Sequence, residues 1–270
     1  MSTTHSEELY KVLYPKKERV PILVSVPHAG IYIPDEIKNR MDPHVLANCT
    51  DADWLIDHLY DFVTESGITV IVATHHRWVV DLNRDPQGQA LYNDGRLITG
   101  LVPLTNFRRE QIYRDEPPDE AEIKRRIEKY FRPYHDKIRE LLSDLKQQFG
   151  QVLLWDAHSI NQRVGALYSG PFPDLILGTA DGESCSSEII AEVWDTLRKS
   201  SYSTALNRPF SGGYITRHFG MQSKNQFALQ LEMTKVNYLN NGESAYDDDK
   251  AAAVRELLRE IFTKIITKLT

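Results

Sequence analysis

Four short segments set residues of ligand, acid and base chemistry at or near the ends of apolar runs. VSVPHAG carries His28, VVDLNR carries Asn83 and Arg84, LLWDAHS carries Asp156 and His158, and ALQLE carries Glu232. In open α/β sheets ligands bind outside the carboxyl ends of the strands, so residues far apart in sequence converge there. Two histidines, one carboxylate and an open position form a recurrent catalytic zinc arrangement, which lowers the pKa of a bound water to about 7 and polarises a carbonyl. Glu232 is a carboxylate in an otherwise apolar strand, costly to bury unless it is paired or faces a site, and general base is its natural role. Arg84, and Arg217 in GGYITRHFG, suit the bidentate gripping of a carboxylate.

Each of these residues also has an ordinary explanation. A lone histidine at a strand end is more often a hydrogen-bonded structural group, and Asp51, Asp53 and Asp57 suit the capping of a helix. Arg84 suits a surface cation or a loop cap, and Asp156 suits the orienting of a histidine. The combination, rather than any single member, carries the functional reading. His5, His75, His76 and His135 receive no role. The sequence has no GxSxG elbow, GxGxxG, Walker loop or HExxH, so Ser25 and Ser159 read as structural.

The elements that must position these residues follow from the hydrophobic pattern. Val20 to Val26 (VPILVSV) reads as a strand buried on both faces, ending at Pro27-His28-Ala29-Gly30. Asp51 to Ser66 spaces Leu55, Leu59, Phe62 and Val63 as a helix, with Thr50 or Asp51 as cap and Gly67 past its end. Ile68 to Ala73 and Trp78 to Leu82 read as strands, which makes a parallel crossover with the first. Asn83 to Pro118 is rich in Gly, Pro, Asn and Asp, and a loop of that length is expected to cover something. Asp119 opens a helix with one apolar stripe, kinked at Pro133 and ended by Gly150. Gln151 to Trp155 is a buried strand stopping at Asp156, Leu175 to Leu177 a short one, Glu183 to Lys199 a helix, and Phe227 to Met233 the last central strand. From Ala245 onward Val254, Leu257, Leu258, Ile261, Ile265 and Leu269 share a helical face.

The chain has 270 residues, 41% hydrophobic and 26% charged, enough for one sizeable core, and one α/β domain spanning 1–270 is expected. No apolar run reaches the ~18 residues of a membrane span, and the first residues lack a signal-peptide pattern, so a soluble cytoplasmic protein is expected. Two cysteines, Cys49 and Cys185, without CxxC spacing leave any metal to histidine and carboxylates. A net charge of −6 with scattered Lys and Arg argues against nucleic-acid and membrane partners. An anionic substrate would then need specific arginines.

Nine blocks carry a family resemblance over nearly the whole chain: PHAG at 27–30, DADWLIDHLYD at 51–61, VVDLNR at 79–84, IYRDEPP at 112–118, YFRPYHD at 130–136, LWDAHS at 154–159, LGTADG at 177–182, GGYITRH at 212–218 and LQLEM at 229–233. They resemble the N-formylglutamate amidohydrolase (deformylase) family. The resemblance implies metal-dependent hydrolysis of N-formyl-L-glutamate to formate and L-glutamate, the last step of one route of histidine breakdown. It also implies a three-layer α/β/α sandwich with a mixed central sheet, similar to zinc carboxypeptidases and aspartoacylases. Carried over by position, His28 and His158 match the metal-binding histidines, Glu232 the base, Asn83 and Arg84 the pair gripping the substrate carboxylate, Arg217 a second carboxylate binder, and Arg77 an arginine that stabilises the oxyanion. Ile31 stands where aspartoacylases carry their ligand glutamate, so the carboxylate ligand is expected from elsewhere, at Asp51 rather than Asp53. The expected ion is Zn²⁺, with cobalt, manganese or iron compatible with the same ligands. Two other readings remain: a hydrolase of another N-acyl amino acid, as in aspartoacylases and succinylglutamate desuccinylases, and a non-catalytic binder of an anionic metabolite.

Overall fold

Short β-branched runs build the sheet. The computed structural model describes residues 8–49, 51–89 and 99–270, so Thr50 and residues 90–98 of the expected covering loop lie outside the described residues. The strands are β1 (Tyr10–Leu13), β2 (Ile22–Val26), β3 (Thr69–Ala73), β4 (Val152–Ile160), β5 (Leu175–Gly178), β6 (Thr204–Leu206) and β7 (Gln226–Thr234). They form one mixed sheet in the order β1-β3-β2-β4-β7-β5-β6. The central four, β3, β2, β4 and β7, are parallel, so their carboxyl ends share one edge. β1 is antiparallel to β3, and β5 is antiparallel to β7.

Helices are α1 (Asp35–Lys38), α2 (Pro43–Ala47), α3 (Ile56–Leu59), α4 (Glu120–Arg126), α5 (Arg132–Phe149), α6 (Ser187–Lys199), α7 (Tyr214–Phe219) and α8 (Asp248–Leu269). Side chains of α3, α6 and α8 pack on one face of the sheet with Leu153, Trp155, Leu229 and Leu231. Those of α1, α2, α5 and α7 pack on the other with Leu23, Leu154 and Ala228. This is the expected three-layer architecture. Successive strand side chains alternate between faces, and on the α5/α7 face the even-numbered positions change character along the strands. Val152, Leu154 and Ala228 are core, whereas Asp156, His158, Gln230 and Glu232 continue the same rows toward the carboxyl ends.

Several expected boundaries move. β4 does not stop at Trp155 but runs to Ile160, because it pairs with β7 over nine positions, and that puts His158 inside the strand. Pairing with β2 ends at Ser25 opposite Asp156, so His158 overhangs its shorter neighbour. Trp78 to Leu82 is not a strand: it is buried in turns, with Val79 N donating to His76 O and Asp81 N to Leu101 O. Its apolar run has the length of a strand, and periodicity cannot separate the two cases. Asp51 to Ser66 is not one helix either. Leu55 adopts a left-handed conformation (φ 60°), α3 starts only at Ile56, and a 3₁₀ segment, Asp61–Ser66, ends at Gly67 (φ 86°). The Pro133 kink appears as a π-helical turn, Ile127–Phe131, joining α4 to α5, since the proline at the start of α5 cannot donate back into the preceding turn.

Gly30 lets the chain leave β2 against a neighbouring loop. A Cβ there would lie 2.3 Å from Thr74 C and 2.4 Å from His75 O, both backbone atoms. Overpacking of this kind costs about 1–3 kcal/mol, so Gly30→Ala is expected to lower the urea midpoint with an unchanged slope. A wild-type midpoint would show that the contact yields more easily than the geometry implies.

Candidate active site

Burial and hydrogen bonding turn two imidazoles toward one carboxylate. His28 follows β2, and its Nε2 lies 2.8 Å from Asp81 Oδ1 while its Nδ1 lies 4.0 Å from Asp53 Oδ2. His158, on β4, places Nε2 at 3.2 Å from Asp156 Oδ2 and Nδ1 at 3.2 Å from Asp53 Oδ2. One ligand atom from each of His28, Asp53 and His158 falls within 4.8 Å of the others, and all three residues are buried. Asp53 is anchored at both ends, its N–H donating to His28 O (2.9 Å) and its Oδ2 accepting from Ser159 N (3.0 Å).

Asp53, rather than the expected Asp51, is the acid that lies near both histidines. The Asp51 carboxylate turns the other way, accepting from Trp78 Nε1 (3.0 Å) and Phe107 N (3.1 Å). Neither residue caps a helix, because the left-handed Leu55 delays α3 until Ile56.

The electrostatics of the cluster are those of crowded acids. Asp51, Asp53, Asp81 and Asp156 are buried and Glu232 is half-buried beside them, against two fixed buried cations, Arg77 and Lys235. Burial lowers the His28 pKa, Arg77 adding to the effect. Burial also opposes charge on His158, yet Asp156 and Asp53 hold its pKa well above the ordinary value. Against its own burial, Asp81 is held well below the usual carboxylate range by Arg77, Arg84 and His28. Glu232 pairs in register with His158 across β4 and β7, and burial pushes its pKa up to about 8, His158 opposing the rise.

This donor set fits a divalent transition metal. It offers two imidazole nitrogens and one carboxylate, each imidazole backed by a second carboxylate in the manner that orients metal-binding histidines. An excess of buried negative charge supplies the electrostatic counterpart.

The remaining candidates divide. Arg77 belongs to the site: it pairs with Asp81, its guanidinium lies 4.9 Å from the Phe107 ring centroid, and its charge acts on His28, Asp53 and Glu232. Asn83 does not offer its amide outward as expected. Its Nδ2 lies 2.9 Å from His158 Nε2 and 3.3 Å from Asp156 Oδ2, and its Oδ1 accepts from Ile215 N, so it packs the histidine from behind. Arg84 holds Thr99 O, Thr99 Oγ1 and Asn83 O, and Arg217 holds Gly212 O and Ser211 Oγ. Neither is a hydrogen-bond partner of the His–Asp–His group.

Two residues escaped the sequence reading. Asp81, inside VVDLNR, joins His28, Arg77 and the Asn83 N–H; its signal was an acid within an apolar run. Lys235, three residues after Glu232, donates from Nζ to Asn161 Oδ1 (3.0 Å), and its charge faces Asp53, Asp51 and Glu232.

Fold and site together define an α/β protein with a buried, metal-ligand-type centre at the carboxyl ends of a mixed sheet. The sequence model of the N-formylglutamate amidohydrolase family matches residues 20–239, and the chain belongs to that family. It is 36% identical over 259 residues to an N-formylglutamate deformylase of Pseudomonas putida and 38% identical over 259 residues to one of Pseudomonas aeruginosa, each alignment covering 95% of this chain and 96% of the relative. Among solved structures it is similar to an N-formylglutamate amidohydrolase from Ralstonia eutropha JMP134 (TM-score 0.79, 27% identity, 97% of this chain and 98% of that one). An Agrobacterium tumefaciens gene product shares the fold (TM-score 0.71, 19% identity, 98% of each chain).

Asp53→Asn is expected to lose zinc on dialysis while Asp51→Asn retains it, as read by metal analysis of the two proteins; the opposite pattern would restore Asp51 as the ligand. A proton on His158 must leave before Nδ1 can bind a metal. Calorimetric zinc titrations in buffers of different ionisation enthalpy should therefore show proton release at neutral pH, and an affinity that rises with pH. Uptake without proton release would mean that His158 is already neutral.

Proposed function

We propose that the chain is a metal-dependent deformylase that hydrolyses N-formyl-L-glutamate to formate and L-glutamate. The observation that carries this reading is Glu232, set beside His158 across β4 and β7 at the edge of the His28–Asp53–His158 group, in a chain aligned along nearly its whole length with deformylases. His28, Asp53 and His158 would hold zinc or another divalent transition ion. Bound there, the ion would polarise the formyl carbonyl and lower the pKa of a water.

The chain's own residues do the rest. Glu232 takes a proton from the attacking water on its carboxylate and returns it to the nitrogen of the leaving glutamate, and a pKa raised toward neutrality suits both transfers. Arg77, fixed by Asp81 and by Phe107, faces negative charge as it develops on the formyl oxygen, an interaction strongest in the transition state. Asp81 and Asp156 keep the two imidazoles aimed. Arg84 ties Asn83 to Thr99, and Arg217 keeps part of its guanidinium for the substrate's α-carboxylate. This reading makes the whole chain one catalytic unit in the last step of one route of histidine breakdown in the cytoplasm. Among the described residues no helix is long and apolar enough to cross a membrane.

Formate release from N-formyl-L-glutamate, assayed beside N-acetyl- and N-succinyl-glutamate, tests the substrate. Activity confined to an acetyl or succinyl substrate would replace the formyl assignment. Glu232→Gln is expected to abolish release with metal content unchanged, and a fully active variant would remove Glu232 as base. The same substitution has a signature in stability. A carboxyl whose folded pKa is raised from 4.5 to about 8 stays protonated in the metal-free folded chain while the unfolded chain ionises, so its contribution falls as pH rises through that window. Metal-free Glu232→Gln should therefore melt higher than the metal-free parent at pH 8, with the gap closing toward pH 4.5. A variant that melts lower at pH 8 would show the carboxylate to be stabilising.

A further inference from the structure

Beyond Phe107 lies a cleft that the reaction so far does not use. Its volume is about 750 Å³, within the ~300–1,000 Å³ range of small-molecule sites. Arg108, Arg109 and Arg163 line it, all exposed and none of them in an ion pair among the described residues. Elsewhere the exposed arginines at 125, 132, 139 and 198 each meet a carboxylate within 4.0 Å; Arg40 and Arg114 instead donate to the backbone carbonyls of Glu116 and Asn39, and Arg208, also exposed, stands apart from the cleft. The one carboxylate in the lining, Glu243, is already occupied by Asn161 Nδ2 and by the Gln162 N–H (2.6 Å). Three guanidiniums left without a counter-charge in one cleft, on a chain of net charge −6, are arranged for an anion.

Two contacts join this cleft to the site. Phe107 lines it with its side chain near Arg77 and its N–H on Asp51. Asn161, three residues beyond His158, also lines it and accepts from Lys235. Phe107 and Val164 add apolar lining that suits a short methylene chain. In N-formylglutamate the α-carboxylate is one carbon from the scissile amide nitrogen, whereas the side-chain carboxylate is carried away from it on two methylenes.

We propose that this cleft is the subsite for the side-chain carboxylate of the substrate, with Arg108, Arg109 and Arg163 as its specificity-determining residues. The inference rests on the deformylase reading for the identity of the substrate, but not for the presence of an anion subsite. It assigns the enzyme a preference for dianionic over monoanionic N-formyl amino acids, set outside the catalytic group.

The test is the triple variant Arg108→Gln/Arg109→Gln/Arg163→Gln, which alters only exposed side chains. Two readouts are taken in parallel on parent and variant: kcat/KM for N-formyl-L-glutamate relative to N-formyl-L-glutamine, and calorimetric binding of glutarate to the metal-free protein. The parent is expected to prefer the glutamate substrate and to bind glutarate in a salt-sensitive manner. The variant should lose most of that preference through a KM rise of about tenfold or more, with kcat unchanged and glutarate binding weakened to match, tenfold being about 1.4 kcal/mol. An unchanged preference with unchanged glutarate affinity would overturn the proposal, as would a parent that does not bind glutarate. A parent that binds glutarate through these arginines but releases no formate would keep the subsite and remove the deformylase reading.

Discussion

The structure depends on keeping five carboxyl groups together in one buried place. Asp51, Asp53, Asp81 and Asp156 lie out of solvent with Glu232 beside them, where like charges repel strongly and each ion loses its hydration. Each of the four aspartates has identifiable compensation. Asp81 is held by Arg77 and His28, Asp53 by His158 and a backbone N–H, Asp51 by an indole and a backbone N–H, and Asp156 by His158 and Thr216. Glu232 has no such hydrogen bond among the described residues, and the charges of His158 and Arg77 offset its burial only in part. Its raised pKa is the same imbalance expressed as a proton. A centre that gathers acids in this way is arranged to receive positive charge, and one nitrogen of each of two imidazoles faces Asp53 within it.

The sheet delivers this arrangement through parity and overhang. On β4 and β7, alternate positions facing α5 and α7 are apolar near the strand starts and polar near their ends, so one row of side chains serves as core and then as site. The nine-position pairing of β4 with β7 extends past the end of β2, which leaves His158 and Glu232 side by side with room for loop residues to close in. His28, Asp53, Arg77 and Asp81 come from those loops. Their positions are set by backbone and side-chain hydrogen bonds, such as Asp53 N–H to His28 O and Asn83 N–H to Asp81 Oδ1.

The parts legible in the sequence are those governed by periodicity. The central strands, α5, α6 and α8 were all visible as apolar patterns, and the pairing of His28 with His158 followed from their placement at strand carboxyl ends. The covering of both sheet faces came with the family resemblance. What was not legible depends on conformations that spacing does not encode. Asp51 and Asp53 share a parity and both precede an apolar helix, yet the left-handed Leu55 ends the helical continuity that would have made them equivalent. Asp53 then meets the histidines and Asp51 meets Trp78. The Trp78–Leu82 run has strand composition but is buried by turns, and no local signal separates those outcomes. β1 and β6 are short edge strands with half-buried or exposed side chains, too weakly patterned to stand out. Asn83 was in the right place, but which way its amide would face depended on Ile215, at the start of a helix more than a hundred residues later.

We propose that His28 Nδ1, His158 Nδ1 and Asp53 Oδ2 would together hold the metal. Crystals of the zinc-loaded protein, with anomalous differences collected at the zinc edge, test it most directly. One strong peak is expected between those three atoms, with Asp81 and Asp156 still on the Nε2 sides of the two rings. A peak on the Nε2 side of either histidine, or one coordinated by Asp51, would contradict it.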